Sequence, residues 1–383
     1  MSAPRKVLLV YGTRPEAIKV APLVAALERS EGLVPVVAVT GQHREMLDQV
    51  NELFGIVPAH DLNIIQPRQT LADVTVKSLQ GVSRILQEER PDAVVVQGDT
   101  TTSMVAALAA AYEKVPVVHL EAGLRTHERY NPFPEEINRR LTGQLTSVHQ
   151  PPTATSRANL LREGVAQDEV AVTGNTVIDA LLSVVGADAS LRSEELRHLN
   201  EDPRQVLLVT THRRESWGEP MAAVARAVAE VARDLPDVVV VLPLHRNPVV
   251  REAVLPAVEG LPNVVLTEPL EYAEFARLMN RAHVVLTDSG GVQEEAPSLG
   301  KPVLVIRENT ERPEAVEAGT VRLVGTDQAR VRDAVLELFR DPAAHAAMAN
   351  AVNPYGDGHA AARCVAAIRH FFGDGDRAPD FAP

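Results

Sequence analysis

The chain has 383 residues, more than one hydrophobic core usually serves, so about two to three domains are expected. Thirty-eight basic against 51 acidic side chains leave a net charge of −13, and aromatics make up 3%; a general nucleic-acid binder, which needs a basic footprint and stacking rings, is excluded. The single cysteine, Cys364, excludes an intrachain disulfide and a multi-cysteine zinc site, and no run reaches the ~20 apolar residues of a membrane span.

Short β-branched runs alternate with longer amphipathic stretches along the whole chain. The apolar run Val7–Tyr11 stops at Gly12, too short for a signal-peptide core, and with the lone cysteine the expectation is a cytoplasmic protein. A first strand is expected over 6–11, leading into Gly12-Thr13-Arg14-Pro15-Glu16 and a helix over 15–29. Arg14 and Lys19 there can reach one anion at a helix start, with Gly12 for the turn and Pro15 at the first helical position. A strand over 35–40 and helices over 43–54 and 70–89 follow. The strand over 93–97 ends at Gln97-Gly98-Asp99, where Asp99 either caps the helix over 102–113 or does acid/base work. Next, 116–120 runs straight into Glu121, and Pro132–Glu136 opens a helix over 134–147 that carries Glu135 near its start. Three carboxylates at or near strand ends of one half-sheet point to proton transfer. A strand over 170–173 closes this series.

The second series has strands over 205–210, 238–242, 263–267, 283–287, 302–306 and 321–324, with helices over 219–234, 271–280 and 327–340. The first of these ends at Thr211-His212-Arg213-Arg214, the next at Pro243-Leu244-His245, each placing a histidine after a strand. Asp288-Ser289-Gly290-Gly291 opens a helix whose N–H groups suit a diphosphate, and Glu295 stands one turn further on for the hydroxyls of a ribose. Arg312 adds a cation after 302–306.

Strand, helix, strand repeated in this way implies right-handed crossovers and doubly wound parallel sheets. The series breaks between 174 and 204, so the fold class is α/β with two Rossmann-like domains, 1–174 and 175–358, facing across a cleft that is the default site. The tail after Phe372 reads as a frayed end. There is no G-x-G-x-x-G, no G-x-x-x-x-G-K-[ST], no H-E-x-x-H and no Tyr-x-x-x-Lys pair. The residues alone therefore describe a two-domain enzyme that binds a nucleoside diphosphate compound, with carboxylates and a histidine near the attached group.

GTRPEAIK (12–19), QHREMLDQ (42–49), GDTTT (98–102), EAGLRT (121–126), PEEINR (134–139), GNTVIDAL (174–181), HRRES (212–216), DSGGVQEEAPSLGKPVL (288–304), ERPEAVEAGTVRLVG (311–325) and NPYGDG (353–358) resemble the non-hydrolysing UDP-N-acetylglucosamine 2-epimerases. The resemblance spans Lys6 to about His370. It implies the glycosyltransferase-B-like fold, with a last helix over about 359–371 completing the first domain. It also implies conversion of UDP-N-acetylglucosamine to UDP-N-acetylmannosamine for cell-surface polysaccharide synthesis. The route is anti elimination of UDP to 2-acetamidoglucal and re-addition, with no cofactor and no metal. By motif, Asp99, Glu121 and Glu135 are the acid/base groups and His212 serves the departing phosphate. Arg14, Lys19, Ser289, Gly290, Gly291 and Arg312 surround the diphosphate, Glu295 takes the ribose, and Phe275 packs beside the uracil. A second UDP-N-acetylglucosamine, as allosteric activator, would meet Gln42, Gln69, Arg213 and His245; Glu45 departs from the glutamine of an activated member. The resemblance further implies a homodimer with no nucleic-acid or membrane partner. A retaining glycosyltransferase of the same fold is the alternative, and fold alone does not separate the two.

Overall fold

Runs such as Ala93–Gln97, buried along their whole length, can be strands only if both faces of the sheet are covered, and that requirement sets the architecture. The computed structural model describes residues 4–41, 44–66 and 68–383, and Gln42 lies outside them. The chain divides into two compact units, Met1–Ala180 with Tyr355–Pro383, and Leu181–Pro354. Where the sequence suggested a division at 174, the helix Thr176–Ala187 runs across the boundary. No helix among the described residues is long and apolar enough to cross a membrane.

The first unit holds a parallel sheet of six strands among the described residues: β1 (Arg5–Tyr11), β2 (Leu33–Val39), β3 (His60–Asp61), β4 (Ala93–Gln97), β5 (Val117–Leu120) and β6 (Val148–Gln150). Their order is β3-β2-β1-β4-β5-β6, so the chain reverses direction across the sheet between β1 and β4. Loops leave that switch point on opposite sides and open a crevice at the strands' carboxyl ends. Leu8, Val10, Val94 and Val96 pack against the alanine-rich helix Thr101–Tyr112 and against Val82, Ile85 and Leu86. Gly12 is required where the crevice begins, since an added Cβ would lie 2.2 Å from Thr40 Oγ1 and 2.7 Å from Thr102 Oγ1.

Two expectations fail here. The run 170–173 is not a strand; Val170 makes one isolated bridge to His149, and the sixth strand is 148–150 instead. His149 and Gln150 look polar in the sequence, yet both are buried, and Gln150 Nε2 donates to the Cys364 carbonyl at 3.0 Å. The tail is not frayed. Phe381 N–H donates to the Val172 carbonyl at 2.8 Å, Asp380 accepts from Val172 N–H at 3.0 Å, and the Phe381 ring is buried under the Arg363 guanidinium. Helix Ala360–Phe371 belongs to this unit, its first N–H groups donating to Asp179 at 2.9 and 3.2 Å.

The second unit repeats the plan with β7 (Gln205–Thr210), β8 (Val238–Pro243), β9 (Val264–Thr267), β10 (Val284–Thr287), β11 (Val303–Val305) and β12 (Val321–Leu323). The order is β12-β11-β10-β7-β8-β9, with the switch point between β7 and β10. Leu207, Val209, Val240 and Leu286 form its core with Val224, Val228 and Val335 from the flanking helices.

Because the Phe381 ring is buried and its backbone is bonded to the run where a strand over 170–173 was expected, Phe381→Ala should destabilise the protein by about 1.5–3 kcal/mol, the worth of burying one such side chain. Urea denaturation is the measurement, and an unchanged midpoint would show that the tail contributes nothing.

Candidate active site

In the first unit the strand ends bring the expected carboxylates together. Glu121 directly follows β5 with φ +57°, a left-handed conformation that a glutamate adopts only under constraint. Its side chain is 7% exposed. Lys19 Nζ lies 2.6 Å from both of its oxygens, Asn175 Nδ2 donates at 3.1 Å, and Gln97 Nε2 donates to Oε2. Lys19 was expected beside a diphosphate, but its near neighbour is this carboxylate, which sequence distance concealed. Gly98, also at positive φ, would place a Cβ 3.5 Å from Glu121 Oε2, so Asp99 begins beside Glu121.

Asp99 does not cap the next helix. Thr100 does so, accepting from Ser103 N–H, and the Asp99 carboxylate receives Arg139 Nη2 instead. Asn138 Nδ2 donates to the Asp99 carbonyl at 2.9 Å, and both partners sit on the helix Glu135–Leu145, whose first residue is the third expected carboxylate. Glu135 Oε2 is buried and has no hydrogen-bond partner among the described residues, an arrangement that costs free energy unless something else supplies the donor. Its neighbour Glu136 is fully buried between Arg139 and Arg140. Burial would raise Glu136, but the Thr126 N–H and the two arginines bring it below its ordinary value.

Two further groups shape these loops. His119 is buried in β5, its Nε2 donating to the Gly98 carbonyl at 2.7 Å, and its register neighbour on β6 is His149. Burial first, with nearby positive charge, pushes His119 down to about 4 and His149 to about 3. Glu16, also buried, accepts from the loops after β1 and β4, and burial outweighs those donors to raise its pKa. Arg14, one residue after Thr13, is half-buried and forms no ion pair among the described residues.

In the second unit Asp288 organises the switch point. The side chain is fully buried, and its Oδ2 accepts from His212 N–H at 2.7 Å, Arg213 N–H at 2.9 Å and the Thr211 hydroxyl at 3.1 Å. His212 Nδ1 lies 3.0 Å from Oδ1, at ion-pair distance but without the alignment of a hydrogen bond. Burial would raise Asp288, yet the imidazole and the N–H donors hold it below its ordinary value. The rings of His212 and His245 lie 6.1 Å apart, and burial followed by the charge of His212 depresses His245.

Ser289 precedes the short helix Gly290–Glu295 and makes no side-chain capping bond. A Cβ on Gly290 would meet Arg312 Nη1 at 3.0 Å and Arg213 Nη2 at 3.5 Å, so two guanidinium groups stand against this glycine. Arg312 is aimed by Glu294, which accepts its Nε at 2.7 Å. Glu311 lies between Arg307 and Arg312; burial opposes its charge, but the arginines bring it down to about 2. A Cβ on Gly291 would lie 4.0 Å from Glu295 Oε2, and the Tyr272 hydroxyl donates to Glu295 Oε1 at 3.3 Å. Phe275 is half-buried one turn from Tyr272 on the same helix face. This is a cationic cradle with an acidic end, suited to a diphosphate joined to a diol.

Of the expected activator contacts, Arg213 and His245 stand beside His212 and Gly290, Gln69 lies in the first unit after β3 with Oε1 accepting from Gln66 N–H, and Gln42 is outside the described residues. Arg139, Asn175, Gln97, Glu16 and Asp288 escaped the sequence reading; Asp288, directly after a strand, was the one with a local signal. No three His, Cys, Asp or Glu side chains converge as metal ligands among the described residues.

Comparison with known proteins bears on what this arrangement does. The family model for UDP-N-acetylglucosamine 2-epimerase matches residues 25–369. The UDP-N-acetylglucosamine 2-epimerase of Escherichia coli K12 is 54% identical over 370 residues, 95% of this chain and 98% of that one. The structure of the Neisseria meningitidis UDP-GlcNAc 2-epimerase bound to UDP-GlcNAc superposes with TM-score 0.86 at 46% identity, covering 95% of this chain and 100% of that one. A Staphylococcus aureus co-structure with UDP gives 0.87 at 44% identity, covering 99% and 100%.

Two outcomes are expected. Arg14→Ala or Arg312→Ala should weaken UDP binding by roughly 1.5–3 kcal/mol, the range for a hydrogen bond to a charged group; calorimetry showing unchanged affinity in both would place the nucleotide elsewhere. The buried histidines make stability depend on pH. Their folded pKa values, about 4 and about 3, lie below the ordinary histidine value, so the unfolded chain takes up protons that the folded chain refuses. Their share of stability should be lost as pH falls from about 6.5 toward 4. Urea midpoints across that window should fall less steeply in a His119→Gln, His149→Gln double variant; an identical slope would contradict the assignment.

Proposed function

The chain belongs to the UDP-N-acetylglucosamine 2-epimerase family, and from that premise we propose that it interconverts UDP-N-acetylglucosamine and UDP-N-acetylmannosamine by elimination and re-addition of UDP. The observation that carries the mechanism is the set of three carboxylates in three different settings: Glu121 held by lysine, glutamine and asparagine, Asp99 held by arginine, and Glu135 with a buried oxygen that has no protein donor among the described residues.

The hydrogen on C2 of the sugar is not α to a carbonyl, so a carboxylate cannot remove it directly at a useful rate. As the C1–O bond lengthens, positive charge develops at C1 and acidifies the C2 hydrogen. A carboxylate then takes the proton, the C–H electrons form the C1=C2 double bond, and the C1–O electrons leave with UDP. In the return direction a proton arrives on the opposite face of C2 and a phosphate oxygen re-bonds to C1. Two faces call for two proton-carrying groups, which Asp99, Glu121 and Glu135 supply. The Lys19, Gln97 and Arg139 contacts fix Glu121 and Asp99 in orientation, and the buried Glu135 Oε2 has no protein donor among the described residues to compete with the sugar.

Departure of UDP is served from the other cluster. Asp288 occupies the Nδ1 side of His212 and leaves Nε2 for the phosphate oxygen. Arg14, Arg312 and the Ser289–Gly291 backbone keep the diphosphate bound while it is detached, so that return is faster than escape. Glu295 and Phe275 take the ribose and uracil. A second UDP-N-acetylglucosamine at Gln42, Gln69, Arg213 and His245 as activator, a homodimeric state and a cytoplasmic location belong to the same proposal; the family resemblance supports the first two and the single cysteine the third.

Product formed in D₂O should carry deuterium at C2, and Asp99→Asn and Glu121→Gln should each lose about 10²–10⁴ in turnover while still binding UDP. Proton NMR reads both. Retention of the original C2 hydrogen, or near-wild-type turnover in both variants, would contradict the proton-transfer scheme.

A further inference from the structure

We propose that Glu16 is a positioning residue that fixes the loop carrying Arg14 and the loop carrying Asp99 in register with each other. The inference rests on the roles given above to those two side chains. Glu16 is 1% exposed. Its Oε2 accepts from Gly12 N–H at 3.1 Å, Thr13 N–H at 2.8 Å and the Thr13 hydroxyl at 2.8 Å. Its Oε1 accepts from the Thr100 hydroxyl at 2.7 Å and faces the Ser103 hydroxyl at 3.0 Å. Arg14 follows Thr13, and Asp99 precedes Thr100. Among the described residues, the hydrogen bonds that join these two loops end on this one carboxylate.

A helix cap alone does not account for the arrangement. The reciprocal bond between Thr13 and Glu16 is the usual capping box, and it works on a solvated surface. Burying a carboxylate is costly unless each oxygen finds donors, and here two of the five hydroxyl and N–H groups facing it come from the loop after β4 and the helix that loop opens. The connection reaches further: the Ser103 hydroxyl also lies 2.5 Å from the Gln97 carbonyl, and the Gln97 side chain donates to Glu121. One carboxylate is thus tied to the loops of Arg14 and Asp99 and, through Ser103 and Gln97, to Glu121.

The test compares Glu16→Ala, Glu16→Gln and Ser103→Ala with Arg14→Ala and Asp99→Asn, reading kcat, KM and UDP affinity per folded enzyme. Glutamine can keep its oxygen on the Gly12 and Thr13 N–H groups and turn its NH₂ toward the Thr100 and Ser103 oxygens. Misplacing reacting groups costs rate steeply, so Glu16→Ala should lower kcat by about 10–10²-fold and also weaken UDP binding, while Glu16→Gln recovers most of both. A folded Glu16→Ala enzyme with kcat and UDP affinity within about twofold of wild type would overturn the inference, as would a glutamine variant no better than alanine. If Glu16→Ala does not fold, Ser103→Ala decides, since it leaves the helix cap intact: a fall in kcat is expected, and wild-type kcat overturns the inference. Should Arg14→Ala and Asp99→Asn themselves behave as wild type, the functional reading of the site fails; should they be impaired while Glu16→Ala is not, only the positioning role fails.

Discussion

Each sheet depends on a buried carboxylate at its switch point. Where strand order reverses, two loops part and leave main-chain N–H groups without strand partners, and a buried N–H must be satisfied. Glu16 meets this need for the loop after β1 while also taking the Thr100 hydroxyl from the loop after β4, and Asp288, directly after β10, meets it for the loop after β7. A side chain with no acceptor oxygen would leave these donors without acceptor positions. The carboxylate offers about four, which offsets the cost of burying its charge. Arg14, Asp99, His212 and Ser289 all lie next in sequence to a residue held in this way or to the carboxylate itself.

The surroundings of each ionisable group then follow from what its neighbours must hold. Acidic side chains of the first unit are matched to cations or amides, Glu121 to Lys19 and Asp99 to Arg139, which fixes their geometry. In the second unit the balance is reversed: Glu294 and Glu311 aim and support Arg312. The arginines of the cradle are therefore backed by carboxylates, and a chain of net charge −13 can still present a cationic cradle.

Most of the strand plan was legible because strands buried on both faces are continuous apolar runs. Legibility ended where burial and polarity part company. Val148–Gln150 carries a buried histidine and a buried glutamine that donates to a carbonyl 214 residues away, so it looked like loop, while Val170–Thr173 was apolar and is paired to the tail instead. The carboxylates Asp99, Glu121 and Glu135 stood out as residues after strands or at a helix start. Their partners did not: Lys19 is 102 residues from Glu121 and Arg139 is 40 from Asp99, and no local pattern announces a contact across a sheet. Glu16 was hidden for a different reason, since a glutamate three residues past a threonine reads as an ordinary cap.

Elimination and re-addition of UDP require the C1–O bond to break in every turnover. Substrate labelled with ¹⁸O in the bridging position between C1 and the β-phosphate tests this directly by ³¹P NMR. If UDP is detached yet held, its β-phosphate can rotate before re-addition, and label should scramble into non-bridging positions as epimerisation proceeds. Epimerised product with the label still wholly in the bridge would mean that C1–O never breaks, and the elimination route would be wrong.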